Sequence, residues 1–491
     1  MSEARPTATS AIATPDAAAD DQWHPQQVAA LSVVAMCGVL VALTQSLLIP
    51  VLAEIQVDLE SSTSATLWLL TSTLLVAAVA VPVFGRLGDL YGKRRMLLVA
   101  AGALVIGSLI CALSNDLGWL IVGRAVTGLS TAAIPLGVSL IGSVLPPRRA
   151  ASGIALVSAT LGVGGALGLP LAALVAEHAD YHVLFWISLA GGALAFLGIA
   201  FALKEAPRVA TGRMDVFGAI LLAVALVCLL LPLAQATAWG WADARTVGLL
   251  VAAAALLVVF VAVERRMDSP LIDIVANARP ALLLTNVASL CVGFALFASF
   301  IGTASYVQAP VASGYGFGSS VLASGLCLLP SGIAMLALSP VSAKMSLRFG
   351  PKITLATGAS VVALGFVARI AFTDHFWQIV IGTTIAGAGT GIAYAAMPNL
   401  ILRGAPKSEL AAANGLNALA RSVGSSLSSA IGGTLLAAST ITVGAYALPS
   451  LGAYRVLFAI CAGAAVLGAV IALVIPTTFS RGEHQVLPAA R

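Results

Sequence analysis

Residues 85–95 read GRLGDLYGKRR and stand between two long apolar runs, residues 64–84 and 96–113. The glycines allow a tight turn and close approach of the flanking segments. Asp89 is able to pair with a cation or to cap the N-terminus of a neighbouring helix, and Lys93, Arg94 and Arg95 place positive charge on one side of the pair. The stretch therefore reads as a short charged hinge between two membrane-crossing helices. Gly85, Asp89, Gly92, Lys93 and Arg94 are its candidate gate residues.

The rest of the chain sets the same context. Of its 491 residues 59% are hydrophobic and only 9% charged, and a mean hydropathy of +1.02 excludes a water-soluble globular domain. A hydrocarbon core about 30 Å thick needs roughly 20 apolar residues per helix. Runs of that length are expected near 29–53, 64–84, 96–113, 117–145, 152–176, 184–203, 216–236, 246–263, 281–306, 321–338, 353–372, 377–402, 410–437 and 456–475. The fold class is thus all-α and integral to the membrane, with about fourteen helices.

The net charge of +5 does not form a nucleic-acid-binding surface, because the cations sit in short clusters in every second loop. These clusters are Arg86 with Lys93, Arg94 and Arg95; Arg148 and Arg149; Lys204, Arg208 and Arg213; Arg265, Arg266 and Arg279; Lys344, Arg348 and Lys352; and Arg403 and Lys407. By the positive-inside rule those loops and both termini are expected to be cytoplasmic, in a bacterial inner membrane. Arg245 and Arg455 fall in outer loops, Arg369 near an outer helix end, and Arg124 and Arg421 within spans. Residues 1–28 and 477–491 read as tails, the first without the basic start and cleavage site of a signal peptide. All six cysteines lie in spans without metal-site spacing and read as small core residues.

The chain also repeats itself. Gly123 and Gly128 precede Pro135 in the fourth span, as Gly382 and Gly387 precede Pro398 in the twelfth, and the Gly153–Gly162 interval equals the Gly415–Gly424 interval. Two related bundles follow, residues 29–203 and 281–476, with an inserted pair of helices inside the 204–280 linker; this pair is expected to be a lipid-facing wedge.

These residues carry a family resemblance. GRLGDLYGKRR resembles the signature loop of the major facilitator superfamily, matching at Gly85, Leu87, Asp89, Gly92, Lys93 and Arg94. Its counterpart PVSAKMSLRFGPK, residues 340–352, has Leu347 where the acid would stand, which implies a weaker second latch. GRAVTGLSTA, residues 123–132, looks like the superfamily motif whose arginine, here Arg124, points inward and is implicated in proton coupling. GIALVSATLGVGGALGLP, residues 153–170, resembles the antiporter motif, with Leu169 in place of its last glycine. Gly162, Gly164 and Gly168 would let helices pack closely and Pro170 would bend one. Together these look like the fourteen-helix drug:proton antiporter branch.

That resemblance implies a secondary transporter working by alternating access, with protons and a small lipophilic or cationic compound as its partners, no cofactor, and a monomeric state. The branch often carries an aspartate in the first span, where this chain has Val41, and no Asp or Glu occupies the middle of any span. Glu54, Glu177, His178 and Asp180 remain as proton carriers, with Glu54 the candidate for proton uptake alongside Arg124. Spans 1, 4, 9 and 12 line the superfamily's cavity, which nominates Gln45, Arg124, Thr127, Phe294, Phe297, Tyr394 and Met397. Asn414, Asn417 and Arg421 share one face of span 13 and form either a substrate network or an interhelical hydrogen-bond cluster. A facilitator or importer on the same fold is the alternative. An enzyme is disfavoured, since there is no P-loop or HExxH string and the five histidines lie near ends or in loops.

Overall fold

The computed structural model describes residues 24–208, 210–443 and 446–476, so the tail residues 1–23 and 477–491 lie outside it. Thirteen of its helices are long and apolar enough to cross a membrane. In chain order the first eight are α1 Pro25–Ser46, α2 Trp68–Tyr91, α3 Lys93–Leu113, α4 Leu117–Val144, α5 Pro147–His178, α6 His182–Ala202, α7 Val216–Ala234 and α8 Ala244–Glu264. After them come α9 Pro280–Gln308, α10 Val321–Arg348, α11 Pro351–Ala371, α12 Phe376–Gly404 and, past α13, α14 Leu451–Val474. The remaining long helix, α13 at Leu410–Ala438, has 29 residues, and Asn414, Asn417, Arg421 and its serines make it too polar to be recognised as a span by composition alone. With it the expected fourteen are complete. α1 starts at Pro25, inside the segment read as a tail, and stops at Ser46, after which a turn and a short helix, Leu52–Asp58, follow.

In lipid every backbone donor and acceptor must be satisfied within the protein, which is why nearly all of this chain is helical. The helices pair in two equivalent sets. α1 packs on α5 and α6, and α3 on α4 and α6, just as α9 packs on α13 and α14, and α11 on α12 and α14. The repeated glycines mark the same seams in both sets. Gly123 of α4 abuts α3 at Gly107 as Gly382 of α12 abuts α11 at Arg369, while Gly128 meets Thr73 of α2 as Gly387 meets Ser331 of α10. Two crossed pairs, α2 with α13 and α5 with α10, join the halves.

The inserted helices are not the wedge in lipid that their composition suggests. α7 buries Leu222, Ala225, Leu226 and Leu230 and packs against both α2 and α13, astride the seam between the halves. Only α8 is mainly exposed. The pair also ends on buried acid: Glu264, 2% exposed, and Asp215, 6% exposed, both face the space beside Gly218. Asp215 accepts from the Gly218 N–H at 2.8 Å and Glu264 from the Ile272 N–H at 3.3 Å, closing the turn after α8. Glu264→Ala leaves that buried N–H without its acceptor, worth about 1–3 kcal/mol. Limited proteolysis should then cut within residues 265–272 at least about fivefold faster than in the parent chain.

Two further features differ from the sequence reading. The segment after α13 forms a β-hairpin, β1 Thr440–Val443 against β2 Tyr446–Pro449, antiparallel with Thr440 opposite Pro449. Arg369 lies in the last turn of α11 yet is 0% exposed. Its guanidinium stacks 3.9 Å from the Phe458 ring centroid and donates to Ser299 Oγ at 3.2 Å.

Candidate functional site

At the end of the molecule that carries the basic loops, Asp89 reaches across from α2 to the start of α13. Its carboxylate accepts the Ala411 N–H at 3.0 Å and the Ala412 N–H at 3.0 Å. The first N–H groups of a helix have no intrahelical partner, and the helix dipole favours an anion there. With Asp89 only 5% exposed, these charge-assisted bonds are shielded from water. The backbones touch beside them: a Cβ on Gly85 would lie 2.7 Å from the Ala411 carbonyl oxygen, and one on Gly415 would lie 2.8 Å from that of Val81. The two halves are therefore shut against each other at this end.

The remaining members of the motif work within the first half. Gly92 sits at φ 116°, a conformation open to glycine, and turns α2 into α3. Lys93 Nζ lies 3.7 Å from Asp89 and donates to Ser143 of α4 at 2.9 Å. Arg94 donates to the Ala200 carbonyl of α6, so it braces its own bundle instead of crossing the gate. Glu205, which the sequence reading did not single out, accepts from the Arg94 and Arg95 N–H groups and so caps α3. Close by, burial and the neighbouring Asp273 push the Glu409 carboxyl above its ordinary value, against the pull of Arg86.

The symmetry-related corner differs as the sequence suggests. Gly350 repeats the positive φ of Gly92, at 87°, but Leu347 is exposed and, among the described residues, no carboxylate joins α10 to the start of α5. Toward that end the contact is made by small residues, Ala155 of α5 clustering with Ala343 of α10 and Ala395 of α12, and midway along the two helices a Cβ on Gly332 would stand 2.9 Å from the Gly162 carbonyl oxygen. Gly164 and Gly168 face α1 instead, at Val39 and Leu43, and α5 runs on through Pro170, against which Gly325 packs.

Between the halves lies a cavity of about 280 Å³. Gln45 of α1, Arg124 of α4, Phe297 of α9, Tyr394 of α12 and Arg421 of α13 line it, with Leu161 and Gly165 of α5 and Phe300 and Ile301 of α9. Its wall also includes Leu70, Thr73, Leu74, Ala77 and Val81 of α2, none of which the sequence reading named. Asn414 lies just below, in a narrow space shared with Tyr394, Arg421 and Val138. Asn417 is held away, donating to Asn286 at 3.0 Å and to Ser289, and accepting from Arg421 Nη1 at 2.6 Å.

Besides Asn414 and Asn417, three further nominated residues do not line the cavity. Thr127 turns toward α3, donating to the Gly123 carbonyl at 2.9 Å and packing on Gly107. Phe294 is buried in the core of the second half, where α9 meets Gly424 of α13. Met397 is buried too, its sulfur accepting from Ser289 Oγ at 3.0 Å. Each stands three positions from a residue that does line the cavity, and three positions on a helix of 3.6 residues per turn fall about 60° short of alignment.

Both arginines of the cavity are bonded to neutral partners. Arg124 donates to the Thr44 carbonyl at 3.2 Å and to the Leu69 carbonyl at 3.4 Å. Arg421 lies 5.1 Å from the Tyr394 ring centroid in addition to its bond with Asn417. Glu54 is outside the cavity wall, on the short Leu52–Asp58 helix at the opposite end of the molecule. Burial, Asp180 and Asp58 push its carboxyl above the ordinary value. Asp180 pairs in turn with His182, and Tyr181 donates to Asp58 at 3.4 Å.

Two pseudo-equivalent bundles of membrane helices, enclosing a cavity that is latched at one end, define a polytopic carrier. The chain belongs to the Major Facilitator Superfamily, whose sequence profile matches residues 34–329 and 290–486. It is 29% identical over 416 residues to the Tetracenomycin C resistance and export protein of Streptomyces glaucescens, covering 83% of this chain and 75% of that one. It is also 29% identical over 398 residues to a probable actinorhodin transporter of Streptomyces coelicolor, covering 78% and 67%. Across these and two further curated relatives the chain spans 61–75% of the relative's length. The crystal structure of the human organic anion transporter MFSD10 superposes with a TM-score of 0.64 at 14% identity, over 91% of this chain and 100% of that one, which shows a shared fold.

Proposed function

We propose that this protein exports small lipophilic compounds from the cytoplasm by alternating access, in exchange for protons. The observation that carries the reading is the pairing of a cavity between the halves with a single carboxylate latch, Asp89, closing the basic end. With the basic loops cytoplasmic, as the positive-inside rule assigns them, this is the state shut toward the cytoplasm. Relatives with export and resistance in their names support the direction. On this reading the chain works as a monomer in a bacterial inner membrane, Asp89 and Arg124 belong to the conformational cycle, and Gly162 and Gly165 of α5, which face Met335 of α10 and Phe300 of α9, lie on the surface on which the halves rock. Accumulation of a lipophilic dye in cells expressing the chain, with and without a protonophore, tests it: lower accumulation that the protonophore reverses is expected, whereas higher accumulation would mark an importer.

Proton uptake is assigned to Glu54, on the side opposite the latch. Its raised pKa means that it takes up a proton at a higher pH than a free glutamate does, which suits an acid facing the more acidic side of an energised membrane. Glu54→Gln should lower substrate-dependent proton flux in proteoliposomes at least tenfold while substrate still binds. An undiminished flux would remove Glu54 from the proton path.

A further inference from the structure

We infer that the cavity selects lipophilic anions, holding their negative charge between Arg124 and Arg421, an assignment that rests on reading this cavity as the transport site. The two guanidinium groups come from opposite halves, α4 and α13, and line one space. Among the described residues that line it there is no Asp or Glu. Their partners are carbonyl oxygens of Thr44 and Leu69, the amide oxygen of Asn417 and the face of Tyr394. Such neutral acceptors satisfy hydrogen-bond donors and orient the groups but cancel none of their charge.

The surroundings amplify this. Leu70, Leu161, Leu296, Phe297, Phe300 and Ile301 give the cavity an apolar wall, where charges act in a medium of low dielectric constant. A third buried cation, Arg369, stands behind that wall, donating to Ser299 between Phe297 and Phe300. The ion pairs among the described residues, Lys93 with Asp89 and His182 with Asp180, leave all three arginines without a carboxylate. Charge buried within a membrane is expensive and marks substrate paths. A guest carrying one carboxylate, sulfonate or acidic phenol supplies the missing counter-charge, and its body fills the aromatic wall; a guanidinium presents a planar fork suited to such oxygens. A lipophilic cation meets repulsion from the same groups, so of the lipophilic or cationic compounds that the resemblance implies, the cationic ones are set aside.

Three probes of one shape test the assignment: 1-naphthoate, 1-naphthylmethanol and 1-naphthylmethylammonium, offered to the purified full chain in proteoliposomes, with binding read separately by naphthyl fluorescence. Naphthoate should be carried and bound at least tenfold better than the ammonium. Arg421→Gln should cut the naphthoate-to-ammonium ratio at least tenfold, Arg421→Lys should keep anions ahead, and Arg421→Glu should turn the preference toward the ammonium. Carriage of the ammonium or alcohol in preference to naphthoate overturns the anion assignment and leaves export standing. Selective naphthoate binding without carriage supports the anion site and overturns export. Failure to bind naphthoate overturns the assignment, and the comparison of probes on the unsubstituted protein decides the matter even if every Arg421 variant misfolds.

Discussion

Asp89→Asn should reduce efflux by at least tenfold while leaving the protein folded. With its amide oxygen in the place of Oδ2, Asn still accepts from both Ala411 and Ala412, but the charge is gone and the NH2 group, in the place of Oδ1, confronts the Ala411 N–H 3.2 Å away. A hydrogen bond to a charged group contributes about 1.5–3 kcal/mol. Loss of about 3 kcal/mol shifts the balance between latched and unlatched forms on the order of 100-fold. A single cysteine at Val138, buried beneath the cavity and lining the closed space with Arg421 and Asn414, reports it: labelling from the basic side should rise in step with the loss of efflux. Asp89→Glu keeps the charge and should retain part of both properties. Unchanged labelling and efflux in Asp89→Asn would leave the contact without a gating role.

A pair of glycine substitutions should separate folding from gating. In Gly424→Val the new Cβ would lie 3.0 Å from the Leu290 carbonyl carbon and 3.0 Å from the Phe294 nitrogen. These are backbone atoms of α9, in the same bundle, and no side-chain rotation relieves the clash. Overpacking of this kind costs about 1–3 kcal/mol or more, and loss of folded protein from the membrane is expected. In Gly85→Val the clash is with Ala411 and Ala412 of the other half, the Ala411 oxygen at 2.7 Å. Opening the basic end relieves it, so the expected protein is as abundant and as thermally stable as the parent, yet unable to latch and at least tenfold slower in efflux. Size-exclusion profiles and thermal midpoints in detergent, set beside efflux, distinguish the two; equal damage to folding from both would deny that the halves move apart at this seam.

Much of this architecture is legible in the sequence because lipid imposes it. A chain of such hydropathy has to cross the bilayer repeatedly, and the rhythm of cations at every second loop orders the crossings. Asp89 is legible by type, since a glycine-flanked acid beside three cations invites a helix-end contact. Its partners, 322 and 323 residues further on, are not, because nothing local specifies which helix N-terminus faces it.

Depth in a helix is easier to read than direction. Arg124, Phe297 and Tyr394 line the cavity while Thr127, Phe294 and Met397, one short turn away on the same helices, pack against neighbours. A spacing of three leaves both members on a broad common face, and only the packed bundle reveals how narrow the cavity's share of that face is. Arg369 shows the same limit: its place near a helix end suggests solvent, but α14 covers it with Phe458. Glu264 and Asp215 were hidden in another way, since carboxylates at helix ends read as loop residues until the turn between them closes over both.

The contact between α2 and α13 can be trapped. A Cβ on Gly88 would lie 3.9 Å from the Cβ of Ala411, within the range that a disulfide bridges, and the Leu136 methyl group it would crowd is the movable tip of a side chain. Gly88→Cys with Ala411→Cys, in a background lacking the six native cysteines, should cross-link on mild oxidation. Alternating access predicts that the oxidised protein is silent in efflux and recovers when reduced. An oxidised, fully cross-linked protein that still exports at the parent rate would contradict it.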